Sequence, residues 1–262
     1  MNNAGYMPDL QTPLSPAMLA RGTRVLLFAS AALVTLAAWL WLTGAGASSG
    51  IHSTFLAPHR HELDGRSLIS GVIMWQAMMV AMMTPALLRW LMAFAALTAD
   101  ADGSASRLRP VAALASGYFV IWLCYSLGAA AVQIALQQMN LLRNGRIGAS
   151  SAGVLLILAG LFQFAPFKRA CLTHCRNPLT YLLSRWRGGP RGGFRLGIAH
   201  GAYCVGCCWL LMMTGLAMGV MNMAWMAVLT LVVGIEQVAP HGDRIASVLG
   251  IVIAGWGLVV LL

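Results

Sequence analysis

The chain has 262 residues, of which 59% are apolar and 9% charged, and it carries a net charge of +10. A soluble domain of this length needs roughly 25% charged residues to coat its surface, so the composition excludes an ordinary water-soluble fold and selects an all-α, polytopic integral membrane helix bundle. The 17 basic residues lie between apolar spans and form no stripe with interleaved aromatics, which argues against nucleic acid and for contact with the lipid bilayer.

In chain order, residues 1–23 read as a polar, proline-containing cytoplasmic tail without a cleavable signal, and 24–262 as a single transmembrane domain. Crossing ~30 Å of hydrocarbon takes about 20 helical residues. Apolar windows of that kind fall at 24–43, 68–98, 110–137, 150–166, 196–220, 222–239 and 245–262. That makes about seven helices, the fourth and sixth of them short. When the spans alternate across the bilayer, most Lys and Arg fall on the side of the N-terminus. A multi-pass protein of the bacterial inner membrane with a cytoplasmic N-terminus and an external C-terminus is therefore expected.

Trp39 and Trp41 end the first span where interfacial anchors belong, and ADADGSAS at 99–106 and RWRGGPRGG at 185–193 read as surface loops. Trp75, Met78 and Met79 in span two and Trp209, Met212 and Met213 in span five share a W-x-x-M-M pattern. The copies are three spans apart, and an odd number of spans inserts them in opposite directions. This is the arrangement of an inverted repeat, with a site near the midplane.

The stretch HGAYCVGCCWLLMM at 200–213 concentrates the chemistry. At about 100° per residue, His200, Cys204, Cys207 and Leu211 fall within about 60° on a helix, with Cys208 and Met212 flanking that stripe. Free cysteine is often a plain buried residue, yet three in five positions beside a histidine offer imidazole and thiolate on one face. The 16 methionines gather in two windows, one holding Met74, Met78, Met79, Met82 and Met83, the other Met212, Met213, Met218, Met221, Met223 and Met226. Methionine usually fills gaps in a core; beside cysteine and histidine it supplies soft thioether ligands, a set that selects Cu(I), with zinc as the second candidate.

Cys171, His174 and Cys175 lie just beyond span four, in a basic cytoplasmic stretch, with all three donors on one helical turn; three ordinary loop residues explain them equally. His52, His59 and His61 with Glu62 and Asp64 occupy the first external loop, as an uptake site or as a plain polar loop. Glu236 is an isolated acid near hydrocarbon and Lys168 the sole lysine; both fall at cytoplasmic helix ends, where they are expected to pair as a structural ion pair. Cys124 is expected to pack. No phosphate loop, dinucleotide fingerprint or serine hydrolase elbow is present.

Four segments, MWQAMMVAMMTP at 74–85, FQFAPFKRACLTHCRNP at 162–178, YCVGCCWLLMM at 203–213 and GVMNMAWM at 219–226, together with Glu236 before Pro240, resemble the predicted metal-binding integral membrane proteins grouped as domain of unknown function 2182. The resemblance covers about 68–260. It implies a metal-binding membrane protein without an assigned reaction, and its motif positions fall here on Trp75, Met78, Met82, Met83, Pro85, Lys168, Cys171, Cys175, Cys204, Cys207, Cys208, Trp209, Met212 and Glu236. Gln237 departs from the pattern, since a basic residue is expected after the glutamate.

The leading expectation is a soft-metal protein that moves or delivers Cu(I), with a periplasmic or cytoplasmic metal-carrying protein as partner. A membrane oxidoreductase, using a Cys204/Cys207 dithiol or bound copper, and a metal-loading factor that does not transport are the alternatives.

Overall fold

The computed structural model describes residues 21–48, 65–98, 104–143, 145–186, 188–239 and 241–262. The three histidines of the first loop, Glu62, Asp64, Pro240 and most of the N-terminal tail lie outside the described residues. In chain order the elements are α1 (Arg21–Ser48), α2 (Gly65–Leu97), α3 (Ser104–Gln138), the strands β1 (Leu142–Arg143) and β2 (Arg146–Ile147), α4 (Ala149–Phe162), α5 (Pro166–Arg176), α6 (Pro178–Ser184), α7 (Gly189–Met213), α8 (Gly215–Met218), α9 (Met223–Val238) and α10 (Gly242–Leu261). The fold is all-α apart from the two-residue hairpin, whose register pairs Leu142 with Ile147.

Among the described residues, five helices are long and apolar enough to cross a membrane: α1, α2, α3, α7 with α8, and α10. A sixth span results if α4 and α5 are counted together. Two of the seven expected windows, the short fourth and sixth, do not meet that test as single helices. The window at 150–166 ends at Phe162, and the chain bends by 63° before α5 begins at Pro166. Proline at the first helical position starts a new helix, since its missing N–H is one that a helix start leaves unpaired. The window at 222–239 yields only 16 helical residues, about 24 Å at 1.5 Å per residue, short of the hydrocarbon thickness. Span five also breaks, at Thr214, before the short α8 and Gly219 with its positive φ of 107°.

α2 and α7 are the most enclosed candidate spans, while α1 and α10 form the rim. Rim residues such as Leu33, Leu40, Ile251 and Val259 point outward, an apolar exposure compatible with insertion in a membrane.

Two glycine seams hold the bundle. Along α3 and α7, which run parallel, a Cβ on Gly193 would strike the carbonyl of Pro110, one on Gly197 that of Leu114, and one on Gly201 would lie 3.0 Å from that of Tyr118. Between α4 and α10 the approach is reciprocal: a Cβ on Gly160 would stand 2.6 Å from Gly250 O and one on Gly250 2.7 Å from Gly160 O, with Gly153 and Gly257 repeating the pattern two turns away. Lipid is as apolar as leucine, so helices in a bilayer associate through such close backbone contact. α2 runs antiparallel to α3, tied by Trp75 Nε1 donating to Gln133 Oε1 at 2.7 Å and by Ser126 donating to Gln76 at 3.0 Å.

The two W-x-x-M-M segments therefore run in opposite directions. Their surroundings differ, because Trp75 is fully buried whereas Trp209 is 39% exposed and packs on Phe162.

The seam yields a test. Gly197→Val forces α3 and α7 apart and is expected to lower stability in detergent by about 1–3 kcal/mol or more. Gly128→Ala, where nothing lies within 4 Å of an added Cβ, is expected to be neutral or to stabilise by about 0.5–1 kcal/mol. Thermal unfolding of the two variants checks the contrast.

Candidate metal centre

The seam sets the height of α7 against α3, and α5 then closes on the opposite flank of α7. Four residues of α5, Lys168, Cys171, Leu172 and Cys175, are buried and follow the spacing of one helix face. Cys171 and Cys175 thus lie on the buried face of a helix, with His174 partly buried beside them, in line with the expected placing of all three on one helical turn rather than with three loop residues. Burial of this basic segment is made tolerable by one contact. Lys168 Nζ donates to Glu236 Oε2 on α9 at 2.8 Å, each side chain being 1% exposed, and also donates to Gln163 Oε1. A buried charge held without a partner would be prohibitive.

At the contact of α5 with α7, the sulfurs of Cys175, Cys204 and Cys207 all lie within 4.8 Å of one another, and all three residues are buried. Three sulfurs around one ion, each about 2.3 Å from it, stand ~4.0 Å apart in a plane, so small side-chain adjustments suffice to close the trio on a metal. The surroundings are those of an outer ligand shell. Tyr118 Oη on α3 is 3.2 Å from Cys204 Sγ, and Gln237 Nε2 on α9 donates toward the same sulfur at 3.6 Å. Trp90 Nε1 on α2 donates to the carbonyl of Cys175 at 3.0 Å, fixing the end of α5. Arg89, the residue before it, donates to the carbonyl of Gln237 at 2.7 Å and so pins the C-terminal end of α9. The thiols of Cys207 and Cys208 both donate to the carbonyl of Cys204, at 3.1 and 3.0 Å.

The other residues singled out in the sequence fall around this trio. Cys208 is fully buried on α7 but outside the group of three. Cys171, one turn before Cys175, puts its sulfur 3.0 Å from the point where a Cβ of Gly206 would stand, so it seals the α5–α7 contact beside the trio. His200 stacks on Trp90, ring centroids 3.9 Å apart, and on Tyr118 at 5.1 Å. His174 stacks on Tyr203 at 3.7 Å. Met78, Met82, Met83 and Met212 are all buried, and Met82 lines a groove of 450 Å³ between α2 and α9 with Pro85, Thr230 and Gly234.

Heights along the bundle follow from the Trp90–His200 stack and a rise of 1.5 Å per residue. Met83 and Cys207 each lie about 10 Å from that level toward the hairpin end, and Met78 and Met212 each about 18 Å. α2 packs chiefly on α1 and α3, and it reaches α7 through side chains.

Residues 72–260 match the family described as PpoB2, copper chaperone. The chain belongs to this copper chaperone family. The match covers most of the chain and sustains the metal side of the resemblance to domain of unknown function 2182; that name and a membrane location do not follow from it. No curated protein and no solved structure matches the chain.

For a copper chaperone, three converging thiols are a fitting donor set. Tyr118, Gln237 and Trp90 carry no local signal in the sequence, since each reaches the trio from another helix. Only the departure at Gln237 marked one of them in advance.

The ion pair beneath the site yields a test. Lys168→Met leaves Glu236 buried and unpaired and is expected to cost about 3–5 kcal/mol, most of it recovered by adding Glu236→Leu. Unfolding of the single and double variants in detergent measures the difference.

Proposed function

We propose that this chain is a membrane-embedded copper carrier of the bacterial inner membrane. In this reading it receives Cu(I) from the hairpin end, holds it on Cys175, Cys204 and Cys207, and releases it to a metal-carrying acceptor protein. The observation that supports this reading is the convergence of three buried sulfurs on one point. Zinc in a structural site takes four protein ligands, and among the described residues no fourth histidine, cysteine or acid joins the group. Soft Cu(I) accepts a small thiolate set.

The buried methionines give the approach. Met78 and Met212 at one level, then Met83 and Cys207 at the next, offer thioether donors before thiolate donors. Thioethers bind more weakly than thiolates, and sites that bind weakly on the way in allow both uptake and release. The N-terminus is assigned to the cytoplasm by the excess of Lys and Arg on its side. The hairpin end is then external, and Cys171 and Cys208 serve as neighbouring thiols through which the ion is exchanged. Because every step swaps one soft ligand for another, no electron is transferred.

A dithiol relay is the second reading, favoured by the C-x-x-C spacing of Cys204 and Cys207 with sulfurs within 4.8 Å. The two separate cleanly. Copper delivery predicts that detergent-purified wild type, loaded anaerobically with Cu(I), shows thiolate-to-copper luminescence, and that Cys175→Ser/Cys204→Ser/Cys207→Ser abolishes it with loss of one bound copper. Equal copper content and luminescence in wild type and variant would sink the copper reading. A relay predicts instead that Cys204→Ser traps a mixed disulfide with a partner, visible on a non-reducing gel. Met78→Leu/Met212→Leu is expected to slow copper uptake several-fold while leaving retention intact, since hydrophobic volume is kept and only the donor is lost.

A further inference from the structure

We infer that His174 and His200 form a second Cu(I) station, displaced from the cysteine trio toward the end of the bundle where α7 begins. This rests on the reading of the trio as a copper site and extends it by one step along the path. The two helices that supply the trio also supply the imidazoles: His174 is the residue before Cys175, and His200 lies one turn, about 6 Å, before Cys204.

The nitrogens carry the inference. His200 is 1% exposed and neither Nδ1 nor Nε2 has a hydrogen-bond partner; the buried Nε2 of His174 has none either. A neutral imidazole offers one N–H and one lone pair, and in a buried site both are normally satisfied. Both rings stack on Trp90, His200 at 3.9 Å and 17° and His174 at 5.9 Å and 26°. Tyr118, Tyr181 and Tyr203 complete the layer, with Tyr118 on His200 and the other two on His174. Stacking alone asks only for a flat ring, which phenylalanine or tyrosine supplies without an unsatisfied nitrogen. His200 Nδ1 and Nε2 and His174 Nε2 are thus unpartnered donors beside one indole, of the kind a metal ligand set can use.

The same layer selects the ion. No hydrogen bond or ion pair links a carboxylate to either imidazole among the described residues. A divalent ion that needs four donors and charge compensation, such as zinc, is poorly served there. A monovalent ion content with two imidazoles is suited, and Trp90, on which both rings stack, backs the pair. Trp90 also donates to the carbonyl of Cys175, so the ring that backs the histidine pair is fastened to a trio residue. Copper stays Cu(I) throughout: as one thiolate leaves, one imidazole nitrogen takes its place, and no electron is gained or lost.

The test is an anaerobic Cu(I) titration of the full chain in detergent against a chromophoric Cu(I) chelator, with X-ray absorption to identify the ligating atoms. Wild type is expected to bind two ions, with sulfur and nitrogen scatterers. His174→Phe/His200→Phe, which keeps two stacked rings, is expected to bind one ion by sulfur alone, with the affinity of the trio changed less than about threefold. Cys175→Ser/Cys204→Ser/Cys207→Ser is expected to bind one ion by nitrogen alone. Unfolding midpoints close to wild type verify that both variants fold. A wild type that binds one ion by sulfur only, unchanged in the histidine variant, overturns the second station and leaves the trio standing. One ion with mixed sulfur and nitrogen also overturns it, since the histidines then complete the trio. No bound copper at all overturns both.

Discussion

The close approach of α3 and α7 is the constraint on which the site depends. Gly193, Gly197 and Gly201 put backbone against backbone over two turns, and a helix pair locked that tightly has little freedom to slide. Because Gly201 meets Tyr118, the hydroxyl of Tyr118 arrives one turn further along at Cys204. The same register brings the Tyr118 ring onto His200. In a bilayer no hydrophobic effect drives helices together, so a polar chemical site needs a scaffold fixed by shape, and the glycine seam supplies it.

The second constraint is electrostatic and acts on α5. A short helix with Lys168, Arg169 and Arg176 belongs at a membrane surface by composition. The Lys168–Glu236 pair draws it inward, and Cys175 travels with it. Ion pairs of this kind add little net stability once desolvation is counted, yet they make one arrangement much better than the alternatives. Specificity of position, rather than strength, is the contribution of the pair to the metal centre. The pair also leaves Glu236 Oε1 and Gln163 Nε2 without partners, so the node is not fully satisfied.

Much of this was legible in the sequence, and the reasons for the failures are physical. The apolar windows locate α1, α2, α3, α7 and α10 because a span must be long and apolar to cross hydrocarbon. The cysteines and histidine of α7 fall on one face because helical geometry is independent of context. The break after Phe162 was hidden because hydropathy continues smoothly through Phe164 and Pro166; the Lys168–Glu236 pair was expected at helix ends, while the burial of Cys171 and Cys175 beside it depends on the packing of α5 on α7. Tyr118, Trp90 and Gln237 reach the thiols and their helices only through the tertiary fold, which no local spacing encodes. Cys175 was visible as a donor, but its partnership with Cys204 and Cys207 across two helices was not.

The Lys168–Glu236 contact also makes the burial of one helix depend on a residue made much later in the chain. Glu236 lies 68 residues after Lys168, beyond α6, α7 and α8, so α5 leaves the ribosome long before its counter-charge exists. A charged helix without a partner is costly to bury in hydrocarbon, so the buried face of α5 has its counter-charge only once α9 exists. Cys175 shares that helix with Lys168, and it meets Cys204 and Cys207 across the α5–α7 contact. The three-sulfur group therefore rests on a contact that the chain completes only after every cysteine has been made.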